Sequence, residues 1–274
     1  MLTIRNDELT LTILDPIADR ERFGPRYCTG GYIFQIEDSG GPVLAGPTYP
    51  DSFNWFDGQG IPDSFALGPL RPGALPGRVA SPGRVALIPG IGLCDPEEQA
   101  VLRYCDWAVE SRPDGVSFRT EQGWDDLSFE LRRTVLLQGR MLSSQTSIRN
   151  TGRAQIPIRW FPHPFFPLPQ GPDLCALPAP VAVPEGTTYS VGSAGYLRCR
   201  DFGGRMSAPV ACGSAGPLVV LQRHPRLGLV VARFSYSAGH VLVWGNERTF
   251  SFEPYLERTV GVGSDMEWRV EYHL

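Results

Sequence analysis

The stretch LSFELRRTVLLQGRMLSSQTSIRNTG, residues 127–152, decides the fold class. It holds two long runs of alternating character on either side of LQGR, and it closes with the turn signal NTG. A period of two is typical of a strand with one buried face, and a Gly-containing break between two such runs is typical of a hairpin. We therefore predict two long antiparallel strands here.

Similar runs extend outward in both directions. Towards the N-terminus, turn signals at DSGG (38–41) and RPDG (112–115) each separate two strand-like runs. Towards the C-terminus, alternating or apolar runs bounded by Gly, Pro or Asn occupy 216–236, 240–254 and 266–274. Only DPEEQAVLRY could form a helical turn or two. The pattern predicts an all-β chain, a large antiparallel β-sandwich of more than ten strands in a single domain spanning 1–274.

Residues 38–97 form an exception to this pattern. The stretch is too rich in Pro and Gly for regular strands, yet it carries Tyr49, Phe53, Trp55, Phe56 and Phe65. Disordered linkers lack such aromatics, so we predict ordered loops over one face or rim of the sheets. Loops in such a position often line ligand sites.

Composition excludes several classes of function. The chain has 274 residues, a net charge of −4 and no basic run, which argues against a nucleic-acid partner. All 25 basic residues are arginine, so chemistry through a lysine Schiff base is ruled out. Neither a phosphate-binding glycine loop nor a GxSxG nucleophile motif is present.

The six cysteines are scattered, without the close pairs or histidine spacing of a zinc site. The charged start MLTIRNDELTLTILD does not resemble a signal peptide, and no apolar run approaches a membrane span. We therefore expect a cytoplasmic protein with reduced thiols, no metal, no cofactor and no membrane partner.

Two segments carry candidate chemistry. In RWFPHPFFPLP (159–169), His163 stands among prolines and aromatic residues that would orient and partly desolvate it, as suits a general acid; a satisfied structural histidine is the alternative. In FSFEPY (250–255), Glu253 ends a β run before Pro254. If its face of the strand is inward, its pKa would rise towards what a general base needs; a surface carboxylate is the alternative.

Taken together, the segments resemble the galactose mutarotase (aldose 1-epimerase) superfamily. The resemblance rests on SFELRRTVLL, LSSQTSIRNTGRAQIPIRW, HPFFPLP and VWGNERTFSFEPY followed by VGVGSDMEWRVEYHL, which occur in the order of that family's central strands, N-x-G turn, histidine-aromatic motif and closing glutamate strand. It covers residues 100–274 well and the N-terminal third loosely. It implies the mutarotase-like supersandwich.

The resemblance also implies sugar-ring chemistry without a cofactor. Glu253 would take the proton of the anomeric hydroxyl while His163 donates one to the ring oxygen, so that the ring opens and recloses on the other face. We expect the two side chains to lie far enough apart for a sugar ring to sit between them. The aromatic wall, Phe165 included, would offer an apolar surface to a pyranose.

The sequence departs from the family in its N-terminal half, where no second histidine precedes His163. Either Gln59 or Arg26 replaces that donor, or catalysis is impaired. The resemblance implies that Arg26 corresponds to the family's sugar-binding arginine and Asp201 to its sugar-binding aspartate; for Asp201 a surface charge is the alternative. We therefore predict an aldose 1-epimerase-type isomerase acting on a sugar or sugar phosphate. A non-catalytic carbohydrate-binding or sensing protein on the same scaffold, or a hexose-phosphate 1-epimerase, are the alternatives.

Overall fold

The structure is a computed structural model that describes residues 1–45, 59–65, 85–95, 97–204, 206–213 and 216–274. Strands dominate these residues, and the only helical element among them is a three-residue 3-10 turn, Arg20–Arg22. The all-β prediction is therefore confirmed.

The strands are numbered in chain order. The first eight are β1 (Leu2–Arg5), β2 (Thr10–Ile13), β3 (Ile33–Asp38), β4 (Gly41–Pro42), β5 (Asp63–Phe65), β6 (Ala86–Ile88), β7 (Gly92–Asp95) and β8 (Ala100–Tyr104). The next eight are β9 (Ala108–Arg112), β10 (Gly115–Trp124), β11 (Leu127–Gln138), β12 (Met141–Asn150), β13 (Ile156–Pro162), β14 (Phe166–Pro167), β15 (Asp173–Ala176) and β16 (Val181–Ala182). The last eight are β17 (Tyr189–Val191), β18 (Tyr196–Cys199), β19 (Met206–Cys212), β20 (Val219–His224), β21 (Gly228–Phe234), β22 (His240–Gly245), β23 (Thr249–Val260) and β24 (Asp265–His273).

Two large antiparallel sheets form the sandwich. One has ten strands in the order β17-β18-β15-β20-β21-β24-β12-β11-β10-β9, and the other has seven, in the order β16-β19-β22-β23-β13-β5 with β14 paired to β23. The predicted hairpin of residues 127–152 is β11 and β12, which lie between β24 and β10 in the larger sheet. Smaller sheets of four strands (β1–β4) and three strands (β6–β8) complete the fold.

The core lies between the two large sheets. Trp160 of the seven-stranded sheet packs edge-on against Trp268 of the ten-stranded sheet, with ring centroids 5.4 Å apart. A charged pair sits in the same layer: Arg133 of β11 reaches across to Asp63 of β5 through two parallel hydrogen bonds, and both side chains are buried. Such bidentate pairing fixes the relative position of the two strands that carry it.

The prediction for residues 38–97 was wrong in part. Beyond the strand predicted after the DSGG turn, short strands occur within the stretch, namely β5, β6 and β7, because backbone pairing to neighbouring strands overrides the local Pro and Gly content. Phe65 belongs to β5, while Tyr49, Phe53, Trp55 and Phe56 lie outside the described residues. Likewise, the segment predicted as a helical turn is a turn at 97–99 followed by β8.

All six cysteines are free thiols, as expected. No helix in the described part of the chain is long and apolar enough to cross a membrane. Within that same part, no group of three or more His, Cys, Asp and Glu side chains is placed to hold a metal ion. The expectations of a single domain, a cytoplasmic location and no cofactor stay predictions.

Candidate active site

The outer face of the seven-stranded sheet carries His163 and Glu253. Strand β13 pairs with β23 up to Trp160 opposite Leu256, and the same register resumes in β14, where Phe166 lies opposite Phe250. His163, between these two stretches, therefore comes opposite Glu253. Because side chains alternate along a strand, both point away from the core face that Trp160 and Phe252 occupy.

The two side chains are in contact. His163 Nε2 lies 3.3 Å from Glu253 Oε1, and the residues are only 1% and 6% exposed. The second carboxyl oxygen, Oε2, accepts a hydrogen bond from the Tyr255 hydroxyl at 3.4 Å. Sequence reasoning placed the pair in one site, and the structure brings it together.

The expected distance between the two groups was wrong. Directly opposed side chains on neighbouring antiparallel strands have Cβ atoms only ~5 Å apart, which leaves no space for a sugar ring between them.

Aromatic rings hold the imidazole from several sides. Phe165 stacks on it with centroids 4.5 Å apart at an interplanar angle of 16°, Trp244 meets it edge-on at 5.4 Å, and Tyr27 does so at 6.0 Å. The expected wall therefore surrounds His163 itself. Phe165 is 1% exposed, so its ring supports the histidine, and its predicted contact with sugar stays a prediction.

Burial shifts the protonation of both partners towards their neutral forms. It lowers the pKa of His163 well below its ordinary value, with the positive charge of Arg26 acting in the same direction. It raises the pKa of Glu253 to about 7, against smaller lowering effects from Arg26 and the Tyr255 hydroxyl. A carboxyl that titrates near neutrality beside a histidine is what proton-transfer chemistry requires.

Glu253→Gln should stabilise the protein relative to the wild type once the pH exceeds 4.5, where the unfolded carboxyl ionises, and the gain should be complete above pH 7. The carboxyl ionises near pH 4.5 in the unfolded protein and near pH 7 in the native protein. The wild type therefore keeps its full stability below pH 4.5 and loses part of it, relative to the variant, as the pH rises from 4.5 through 7. Above pH 7 the variant should gain about 3 kcal/mol in the free energy of unfolding, measured by chemical denaturation at pH 5 and pH 8.

The matched control is Glu267→Gln, an exposed position on β24. Its free energy of unfolding should differ little from that of the wild type at either pH. An equal stability gap for Glu253→Gln at pH 5 and pH 8 would contradict the assigned burial cost.

Arg26 and Gln59 are the two predicted substitutes for a missing histidine. Arg26 belongs to the loop before β3, where its carbonyl accepts a 2.7 Å hydrogen bond from Ser64 Oγ and its guanidinium lies 5.2 Å from the ring centre of Tyr27. Its charge acts on both members of the pair. The structure therefore brings Arg26 to the site.

Gln59 is buried beside the segment between β13 and β14, which carries His163. Its backbone carbonyl accepts a hydrogen bond from the Tyr32 hydroxyl at 2.9 Å, and its side-chain Oε1 has no hydrogen-bond partner among the described residues. The next residue, Gly60, accepts the backbone N–H of Phe165 at 2.8 Å. Gln59 thus adjoins the site, and its role as a donor stays a prediction.

Asp201 is exposed in the turn after β18, where its Oδ1 accepts the Gly203 N–H at 2.7 Å. No contact between Asp201 and either member of the pair occurs in the described structure. A turn-forming role accounts for what is seen, and sugar binding by Asp201 stays a prediction.

Sequence reasoning missed three neighbours of the pair: Tyr255, Trp244 and Tyr27. Tyr255 could have been found, since it follows Glu253 by two positions on a strand and so shares its face. Trp244 lies on β22, the other neighbour of β23, and its approach depends on strand order. Tyr27 comes from a distant loop and left no signal in the local pattern.

Two of the three remaining histidines, His224 and His240, have different surroundings. His224 is structural: its Nε2 lies 2.7 Å from the Val43 carbonyl, and its Nδ1 accepts two backbone N–H groups. His240, by contrast, stacks on Tyr255 with centroids 4.1 Å apart and lies 3.6 Å from Glu257. His240 therefore borders the site.

No family model and no curated protein matches the chain in sequence comparison. Solved structures do match over the whole chain. They include a galactose mutarotase related enzyme from Lactobacillus acidophilus, with 13% identity, a TM-score of 0.63 and coverage of 100% of this chain and 97% of the other. A galactose mutarotase-like protein from Lactobacillus casei has 13% identity, a TM-score of 0.58 and coverage of 100% and 99%.

A homologue of GalM/aldose epimerase from C. elegans has 12% identity, a TM-score of 0.51 and coverage of 99% and 97%. Identities this low establish a shared fold and leave the chemistry to be argued from the site. The predicted resemblance is thereby confirmed at the level of architecture: the chain has the fold of the galactose mutarotase-like structures.

Proposed function

We propose that this protein is an aldose 1-epimerase-type isomerase that interconverts the α and β anomers of a sugar. The observation that carries the proposal is the buried contact between His163 and Glu253, with a carboxyl pKa near neutrality. Stability gains nothing from a carboxyl that titrates in this range, whereas a general base or acid needs it.

The chemistry follows from one proton shared by the pair. Burial favours the proton on Glu253, and it passes to His163 across the 3.3 Å contact. The carboxylate then takes the proton of the anomeric hydroxyl while the imidazolium gives its proton to the ring oxygen. The bond between the anomeric carbon and the ring oxygen breaks, and an open-chain aldehyde forms. Rotation about the C1–C2 bond and the reverse transfers close the ring on the other face. The pair then holds one proton again, as it did at the start.

This scheme predicts the direction of the pH dependence. The reactive pair carries one proton, and that proton is lost as pH rises through the pKa of about 7 assigned to Glu253. We therefore expect kcat/KM to be high below pH 7 and to fall about tenfold per pH unit above it. Polarimetry or NMR measures this rate on freshly dissolved single anomers of common aldoses and aldose phosphates, with and without a chelator.

Two outcomes would contradict the proposal. A wild type that fails to accelerate anomer exchange over buffer for any of these sugars would leave the carbohydrate-binding alternative, which ligand titration against the same panel then tests. A rate that rises through pH 7 would show instead that an ionised Glu253 works with a separate proton donor, Arg26 or Gln59 being the predicted ones.

A further inference from the structure

Tyr255 lies between two flat side chains on the outer face of the seven-stranded sheet. Phe161 of β13 stacks on its ring with centroids 4.4 Å apart at an interplanar angle of 23°, and His240 of β22 stacks with centroids 4.1 Å apart at 20°. His240 is also its direct partner in the strand ladder. With both neighbouring strands supplying a ring, the Tyr255 ring has little freedom to turn.

Charged groups complete the surroundings of that ring. The Arg159 guanidinium on β13 lies 4.9 Å from the ring centre, and Arg159 pairs with Glu257 at 3.3 Å. Glu257 in turn lies 3.6 Å from His240 Nδ1. Among the described residues, Glu253 and the nearby charge of Arg26 also act on Tyr255.

We propose that Tyr255 is a positioning residue for the acid/base pair, whose hydroxyl holds Glu253 Oε2 so that Oε1 faces His163 Nε2. This inference rests on the proposed function. A carboxyl group can rotate about its last bond, and a protonated one can carry its proton on either oxygen. A phenol that donates to Oε2 makes that oxygen an acceptor, which leaves Oε1 to carry the proton beside Nε2.

Two further facts fit this role. Burial raises the pKa of Tyr255 above its ordinary value, so the phenol keeps its proton and remains a donor over the working pH range. For the same reason Tyr255 is a poor source of a transferred proton, and it does not replace the missing histidine. The hydrogen bond to the ionised carboxylate also opposes the rise in the Glu253 pKa that burial causes.

The test is Tyr255→Phe, which keeps the ring and removes only the hydroxyl. Losing one hydrogen bond to the ionised carboxylate should raise the pKa of Glu253, so the pH at which activity falls should move upward by about half to one unit. Since Glu253 is then free to rotate, kcat should fall about tenfold with little change in KM.

The matched control is Tyr236→Phe. Tyr236 donates its hydroxyl to the Pro254 carbonyl at 2.9 Å, so this variant removes one tyrosine hydrogen bond to the same strand at the residue between Glu253 and Tyr255. It should leave the pH at which activity falls unchanged. An unshifted profile in Tyr255→Phe, or an equal shift in both variants, would overturn the proposal.

A second measurement separates this proposal from the proposed function. NMR titration of ¹³C-labelled glutamate carboxyls, with Glu253 assigned by its absence in Glu253→Gln, reports the carboxyl pKa without any turnover. If the wild type is inactive, an upward shift in Tyr255→Phe still supports the contact, and no shift overturns it. Should Tyr255→Phe fail to fold, Phe161→Leu loosens the ring while keeping the hydroxyl. A smaller upward shift then supports the proposal, and none overturns it.

Discussion

Glu253→Gln and His163→Asn are each expected to slow anomer interconversion by ~10²-fold or more, the usual effect of removing a general acid or base. Gln matches Glu in size, and Asn is smaller than His but keeps hydrogen-bonding groups, so the fold of the site should be retained in both variants. Sugar affinity should change far less than the rate. Polarimetry gives the rate, and calorimetric titration gives the affinity.

Combining the two substitutions sharpens this test. Groups that share one proton act as a unit, so the double variant should be little slower than either single variant. Glu267→Gln, far from the site on β24, should keep the wild-type rate. Wild-type rates in both single variants would contradict the enzyme proposal. If the loss of rate in the double variant equals the product of the two single losses, the two groups do not share a proton.

Breaking the ion pair between the sheets should have the largest effect on stability. Arg133 is 1% exposed and has its charge opposed by Asp63, so Arg133→Met leaves a buried carboxylate without its partner. The expected loss is about 3–5 kcal/mol in the free energy of unfolding. Chemical denaturation measures this loss, with the β-sheet content followed by circular dichroism.

Removing both charges should restore most of that loss, since two apolar side chains of similar volume need no mutual compensation. We expect Asp63→Leu combined with Arg133→Met to unfold within a few kcal/mol of the wild type. As a control, Arg112→Ala removes the exposed pair with Glu110 on β9 and should cost at most about 1 kcal/mol. A double variant as unstable as the sum of the single variants would show that the charges act independently.

Local periodicity was enough to predict the class of fold. The alternation in residues 127–152 indicates which face of each strand is buried, so β11 and β12 could be predicted from the sequence pattern alone. The same rule fails at β5, where three residues become a strand only because β13 lies beside them. A pairing between distant segments leaves no trace in a short window.

The candidate site shows the same division. His163 and Glu253 could be predicted as site residues because each stands in an unusual local sequence. The family resemblance then predicted that they act together in one site. The distance between the two side chains could not be predicted, because it depends on the register between two strands that are far apart in the chain. Tyr27 and Trp244 were beyond reach for that reason too, since a loop and a third strand bring them to the imidazole.

The sources of the site also bear on how the chain folds. Its parts come from the loop before β3, from the segment between β13 and β14, and from β22 and β23. The contacts of His163 with Tyr27, Trp244 and Glu253 therefore join segments distant in sequence. Closing such long loops is slow, because the chain entropy is lost before the favourable contacts between the paired strands can form. The imidazole can acquire its stacked and edge-on neighbours only after β13, β22 and β23 are paired. Fluorescence of Trp244 should therefore report the last step of refolding, and proton-transfer competence should arrive with it.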